Sequence, residues 1–489
     1  MHKNPNLYEI NTRVWIKRFG ENVKLHEVPE DYWLKLSELG IDYIWLMGVW
    51  KTNESTIDKY CFEPGLIEEY SRALPDWKRE DVIGSPYAID DYTVNPKLGG
   101  NESLEELREI LHRNNMGLIL DFIPNHFSAE SSLIKSHPEI FLQADESAFE
   151  NDPHTYFKPL ENENKIFAHG RDPFFPAWQD TIQINYFYEP AREFLINRLN
   201  SISQMCDGVR CDMAMLNLNH VFQNTWGTVI SKAGFKKPEK EFWEIAIKSI
   251  KTSKPDFLFI GEAYWDLEWT LQQLGFDFTY DKKLTDRLKI FNPSAIRAHL
   301  QAEKNYQKKL VRFLENHDEE RAVKILGYKQ SKAAAVIAGT VMGMHLFYDG
   351  QFEGKAVKLP VQLGREPEEK LQKGIKYFYD NFLRIIKAGI FKNGDWQLIH
   401  VFPAGEGDQT FENMLAWLWE LNGEKRLIVV NYSSVTSYCR IKLNVESYPH
   451  KITFEDLIND KFYMRNKEEV TEPGLYIKLD GYKFHIFKF

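Results

Sequence analysis

The sequence predicts an α/β protein: a (β/α)8 TIM barrel with a small insertion after the third strand and a C-terminal antiparallel β domain. Three observations predict it. Short apolar runs ending in polar or charged residues alternate with helical patterns as far as about residue 392, as in a parallel sheet wrapped by helices. A polar tract holding Pro138, Pro153, Pro159, Pro173 and Pro176 interrupts that alternation at 127–180, too long an excursion for one bare loop. Beyond Gly394 the texture changes to short alternating strands. At 489 residues the chain exceeds a single ordinary core. The expected division is a barrel at 1–126 and 181–392, an inserted domain at 127–180 and a β-sandwich at 393–489.

Each element has its own signal. Tyr8 to Ile16 is a candidate first strand, and a helix opens at Pro29 and stops before Gly40. Ile41 to Val49 is the second strand. Ser103 and Glu106 have capping-box spacing, with Leu104, Leu107 and Leu111 on one face of the helix they open. Met116 to Ile123 is the third strand, ending at Pro124-Asn125-His126. The fourth, fifth and seventh strands run into Asp212, Glu262 and Asp318; Gly275 to Tyr280 is the sixth strand and Val341 to Tyr348 the eighth. Glu368 to Ile390 reads as a long amphipathic helix. Five strands follow it: 414–419, 426–432, 439–443, 474–479 and 485–489.

Composition excludes several classes. A formal net charge of −10 argues against nucleic acid, which needs clustered cations. Four cysteines are too few for a disulfide scaffold, and their spacing does not favour zinc. The uncharged stretch from Ala333 to Tyr348 is too short for a bilayer and reads as a buried helix entering a buried strand. No signal peptide is visible at the N-terminus, so the expected location is the cytoplasm, with no membrane partner.

The chemistry lies in Asp212, Glu262 and Asp318, each closing a separate apolar run. In a parallel barrel, residues at the carboxyl ends of several strands converge on one face. Two acids, one ionised and one protonated, are what breaking a glycosidic bond requires. Arg210 lies two residues before Asp212 and so on the same side of the strand; it is expected to depress the Asp212 pKa. Glu262, among Gly261, Ala263, Tyr264 and Trp265, is expected to be raised and to stay protonated. A structural ion pair explains the first arrangement as well as catalysis does, and a helix-capping Glu nearly explains the second. Asn316-His317-Asp318 is crowded with groups able to bind sugar hydroxyls, and a metal cluster there is the less favoured alternative. His126 and Tyr87 are further strand-end and loop candidates.

Taken in order, Asp121 to His126, Gly208 to Asp212, Glu262 and Asn316-His317-Asp318 resemble the four sequence regions of the α-amylase superfamily, glycoside hydrolase family 13. The resemblance spans nearly the whole chain. It implies Asp212 as nucleophile, Glu262 as general acid/base and Asp318 as the acid that stabilises the transition state. It implies that Arg210, His126 and His317 hold the sugar at the cleavage point, with Tyr87 as its stacking floor. Trp265 is a candidate platform for the leaving-side sugar or, equally, a core residue. There are departures. Met215-Leu216 stands where many α-amylases carry Lys-His, Gln183-Ile184-Asn185 is uninformative as a subgroup marker, and the closely spaced aspartates of one calcium loop are missing after the first strand. No cofactor is required on this reading; calcium stays open, with Asn125 as candidate ligand and Asp172 or Asp180 as its partner.

The function implied is a retaining α-glycosidase acting on α-glucosidic bonds of maltooligosaccharides or α-glucans through a covalent glycosyl-enzyme. Retention predicts that the Asp212 and Glu262 carboxyls lie ~5–5.5 Å apart. Transfer to another sugar, or trehalose-synthase-type isomerisation, shares the first half-reaction and is the alternative. A non-catalytic carbohydrate-binding protein is the alternative of another class; it would be expected to have lost one of the three acids, and all are present.

Overall fold

The computed structural model describes residues 2–159, 162 and 164–489. Eight parallel strands close a barrel in chain order: β1 (Asn6–Asn11), β2 (Tyr43–Met47), β3 (Gly117–Phe122), β4 (Gly208–Cys211), β5 (Leu258–Gly261), β6 (Phe278–Tyr280), β7 (Leu310–Arg312) and β8 (Met344–Tyr348). β1 pairs with both β2 and β8, which completes the ring. Because strand side chains alternate, Leu7, Ile119, Leu258, Ile260, Phe278, Val311 and Met344 pack inside the barrel. Tyr8, Ile10, Leu118, Leu120, Val209 and Phe259 face the helices instead. The same alternation turns Glu9, Asp121, Arg210, Asp212 and Glu262 inward.

Gly208 is where β4 enters the barrel. A Cβ there would stand 2.6 Å from Leu258 Cβ and 2.8 Å from Ile119 Cδ1, so only glycine lets three neighbouring strands approach so closely.

Between β3 and the helix Glu189–Met205 the chain makes its long excursion. His126–Ser128 pairs antiparallel with Thr181–Gln183, and Gln143–Ala144, Tyr156–Phe157 and Ile166–Ala168 form a three-stranded sheet. At the C-terminus, β9 (Asp395–Leu398), β10 (Met414–Leu421), β11 (Glu424–Asn431), β12 (Ser437–Ile441), β13 (Lys451–Asp456), β14 (Lys461–Asn466), β15 (Leu475–Leu479) and β16 (Phe484–Lys488) build two antiparallel sheets. Their orders are β9-β10-β11-β16-β13-β14 and β12-β15. One face of the larger sheet packs Met414, Ala416, Leu427 and Val429 against the smaller. Its other face sends Leu415, Trp417, Trp419 and Ile428 into the core of the barrel's helical layer.

Several boundaries differ from expectation. β1 ends at Asn11, and a short helix, Thr12–Trp15, follows; Trp15 packs with Trp33 and Phe19 rather than extending the strand. The helix expected from Ser103 starts at Gly100. Ser103 is buried, and its hydroxyl receives the His26 N–H, so it ties down the preceding loop instead of capping. β7 stops at Arg312, well short of Asp318. Asn316 then turns the chain, its side-chain oxygen accepting the N–H groups of Asp318 and Glu319 at 3.0 and 2.9 Å. The long helix spans only Lys373–Ile386, because the Glu369 carboxylate is occupied with the backbone N–H groups of Ala356 and Val357. β9, β13 and β14 were not expected: β9 and β13 alternate but over only four and six residues, and β14 has no buried face.

Candidate active site

Asp212 and Glu262 directly follow β4 and β5, and Arg210 rises between them from inside the barrel. Its Nη1 donates to Asp212 Oδ1 at 2.7 Å, and Asp121 Oδ1 lies 3.5 Å from the same nitrogen. Its Nη2 is 2.8 Å from Glu262 Oε2. That contact is poorly aligned, and Nη2 makes no hydrogen bond. The guanidinium therefore bonds Asp212 and only adjoins Glu262. It lies against the rings of Trp45, Tyr87 and Tyr280 at 5.1, 5.6 and 5.6 Å, a desolvated cation in an aromatic cage. Glu262 accepts hydrogen bonds from the Met213 N–H at 2.7 Å and the Tyr264 hydroxyl at 2.8 Å.

Arg210 pulls the Asp212 pKa down, as expected, but it does not win. Burial, with Glu262 and Asp121 adding their charge, outweighs the guanidinium and raises Asp212 to about 7. Burial likewise pushes Asp121 up to about 6. One guanidinium is shared among three acids.

Asp318 has the opposite setting, its side chain 47% exposed at the cleft. What burial it has works to raise its pKa, but the neighbouring His317 imidazolium holds it at about 2. His317 is buried, which disfavours its charge, yet Asp318 and Glu9 together raise it well above its ordinary value. Its Nδ1 bonds Glu9 Oε1 at 2.5 Å; its Nε2 faces the Tyr87 hydroxyl at 2.7 Å and Asp318 Oδ2 at 3.0 Å. Tyr87 also stacks its ring on the imidazole. Tyr87, Arg210, Asp212, Glu262, His317 and Asp318 thus form one connected constellation.

His126 is buried, which lowers its pKa to about 4 and keeps it neutral, and its ring lies 5.3 Å from Trp178 of the insertion. Trp265 is 37% exposed, with its ring 5.0 Å from that of Phe174. Sequence reasoning gave no role of their own to Glu9, Asp121, Tyr264 and Tyr280. The strand alternation that pointed Arg210 inward applies equally to Glu9, Asp121 and Tyr280, and would have found them.

Two of the donors considered for calcium, Asn125 and Asp172, are already engaged by N–H groups. Asn125 is buried and exchanges amide contacts with Gln183, whose NH2 donates to Asn125 Oδ1 at 3.1 Å and to its backbone carbonyl at 2.9 Å. A donor group therefore fills the place a cation would need. Asp172 Oδ1 instead accepts the N–H groups of Phe174 and Phe175. Among the described residues, no group of three or more His, Cys, Asp or Glu is arranged to hold a metal. The four cysteines are buried and unpaired.

A closed (β/α)8 barrel with buried acids gathered at its carboxyl-end rim defines a barrel enzyme with the equipment of a glycoside hydrolase. The family comparison agrees. Residues 31–375 match the alpha-amylase catalytic domain, and the chain belongs to that glycoside hydrolase family. Alpha-amylase 3 of Dictyoglomus thermophilum is 23% identical over 434 residues, covering 77% of this chain and 78% of that one. Two solved structures share the fold from end to end. The maltogenic alpha-amylase AmyB of Thermotoga neapolitana has a TM-score of 0.71 at 21% identity, with 100% of this chain and 99% of that one covered. An alpha-amylase from Lactobacillus plantarum has 0.70 at 19% identity, with the same coverage. No helix among the described residues is long and apolar enough to cross a membrane.

Proposed function

We propose that this protein is a retaining α-glycosidase that cleaves α-glucosidic bonds in maltooligosaccharides or α-glucans. The observation that carries the proposal is that Arg210 holds two acids side by side at the ends of β4 and β5, its nitrogens 2.7 Å from Asp212 and 2.8 Å from Glu262. A pair of neighbouring carboxyls beside a third acid at the cleft is the equipment a retaining glycosidase uses.

The sugar sits over Tyr87. Glu262 gives its proton to the glycosidic oxygen as Asp212 attacks the anomeric carbon; the bond to the leaving chain breaks, and that chain departs as an alcohol. Asp318, kept ionised by His317, faces the positive charge that develops on the ring. Glu262 then takes a proton from water, which attacks the same carbon and frees Asp212. Neutral His126 and the Arg210–His317 framework orient the hydroxyls, and Trp265 with Phe174 borders the leaving side. No metal takes part in these steps.

Incubation with maltooligosaccharides, sucrose and trehalose, followed by proton NMR, tests the reading. The expected first product from a linear glucan is the α-anomer; early β-anomer would refute retention, and longer oligomers would reassign the enzyme to transfer. Asp212→Asn is expected to lose about a thousandfold or more in kcat while staying folded, and substantial residual turnover would remove it from the nucleophile's role.

A further inference from the structure

The two carboxyl oxygens of Glu262 have different surroundings. Oε2 receives the Met213 N–H at 2.7 Å and lies 2.8 Å from Arg210 Nη2. Both neighbours are donors only, and neither can turn round to accept. Met213 stands in the left-handed region at φ 44°, a conformation that costs a residue with a side chain ~1–3 kcal/mol and collects at functional sites. The turn it makes is tied to β5, since the Ala214 N–H donates to the Glu262 carbonyl at 3.1 Å. Among the described residues, Oε1 has one hydrogen-bond partner, the Tyr264 hydroxyl at 2.8 Å.

A hydroxyl both donates and accepts. Burial, with the Glu262 charge adding to it, raises the Tyr264 pKa well above its ordinary value, so the group stays O–H. In this structure both Glu262 oxygens accept, the pattern of the ionised base. A proton on Oε2 would face two donors, whereas a proton on Oε1 needs only that the Tyr264 hydroxyl rotate.

We propose that Oε1 is the oxygen of Glu262 that carries the catalytic proton, and that Tyr264 is the positioning residue that partners it in both protonation states. The proposal rests on the reading of Glu262 as acid and base. In the acid form, Oε1–H donates to the Tyr264 oxygen until a glycosidic oxygen arrives. The proton then passes from Oε1 to that oxygen, whose bond to the anomeric carbon breaks with both electrons remaining on the oxygen. The Tyr264 hydroxyl turns and donates to the Oε1 left ionised. When water later gives its proton to Oε1, the hydroxyl turns back. Oε2 stays anchored on Met213 throughout.

The test compares wild type with Tyr264→Phe on two substrates. Maltotriose has a leaving sugar that needs a proton; α-maltosyl fluoride has a leaving group that departs with little help from an acid. On maltotriose, kcat/KM is expected to fall about tenfold or more, a part of the ~10²–10⁴ that general acid–base catalysis supplies, with the loss in kcat rather than KM. On the fluoride the fall is expected to be about threefold at most. The basic limb of the maltotriose profile is expected to move to higher pH, because the ionised carboxylate loses a stronger hydrogen bond than the neutral acid does. Equal losses on both substrates with the limb unmoved would show a packing role and overturn the proposal, as would no loss on either; the functional reading survives both results. A wild type that cleaves neither substrate would end the reading and the proposal together.

Discussion

Glu9 acts on the chemistry from a distance. Fully buried within β1, it holds the His317 imidazolium that in turn keeps Asp318 ionised. Glu9→Gln removes that charge, so His317 gives up its proton more readily and Asp318 titrates higher. The acid limb of the kcat/KM profile is expected to move to higher pH, with about a tenfold loss of kcat/KM for each ~1.4 kcal/mol of stabilisation withdrawn. A limb unmoved in the variant would mean that Glu9 serves packing alone. Asp212 gives a stability prediction of definite sign. Its folded pKa of about 7 lies above the ordinary aspartate value of 3.8, so the folded state holds a proton that the unfolded chain has released. The associated stability is complete below about pH 4 and is lost as pH rises through 7. Asp212→Asn should therefore melt at higher temperature than wild type at pH 7.5, by roughly 2 °C or more, with the difference shrinking toward pH 4. Calorimetry across that range checks it; a variant less stable than wild type at pH 7.5 would show that the Arg210 hydrogen bond outweighs the burial cost.

At the scale of elements, β4 depends on Gly208. Gly208→Ala forces a methyl group into the Leu258 side chain and backbone, and overpacking of this kind costs ~1–3 kcal/mol. Urea unfolding is expected to show that loss, together with reduced activity because Arg210 and Asp212 sit on the displaced strand; a neutral substitution would mean that the barrel has slack at its base. The elements also show what the sequence makes legible. Strands buried on both faces announce themselves as apolar runs, and a polar residue at the end of such a run marks the catalytic rim, which is how Arg210, Asp212 and Glu262 were readable. Asp318 was read in the same way, as the close of an apolar run, although an Asn316 turn rather than the strand itself positions it. The Asp212 titration was misjudged for a different reason. Spacing reveals the adjacent Arg210 but not the depth of burial or the two other acids that Arg210 also serves. β14 was invisible because an edge strand with Lys461, Arg465 and Asn466 resembles any solvated loop.

Over the whole molecule, the junction between barrel and insertion is closed by the Asn125–Gln183 amide pair. We propose that the enzyme needs no calcium. Its melting temperature is expected to agree within about 1 °C in EDTA and in millimolar calcium chloride, because a ligand that does not bind the folded state adds no stability. A rise of several degrees with calcium would overturn this. The C-terminal sheet is joined to the barrel by side-chain hydrogen bonds as well as apolar packing. Trp417 and Trp419 donate their indole N–H groups to Thr340 at 3.2 and 2.7 Å, and Tyr432 bonds the Leu288 carbonyl at 2.9 Å. During synthesis, all eight barrel strands leave the ribosome before residues 394–489 do. Through that interval the helix Tyr328–Thr340 would be uncovered where Trp417 and Trp419 later settle, open to adhesion between nascent chains. The sandwich then serves as the stopper that ends this vulnerable period, whatever it does afterwards for the finished enzyme.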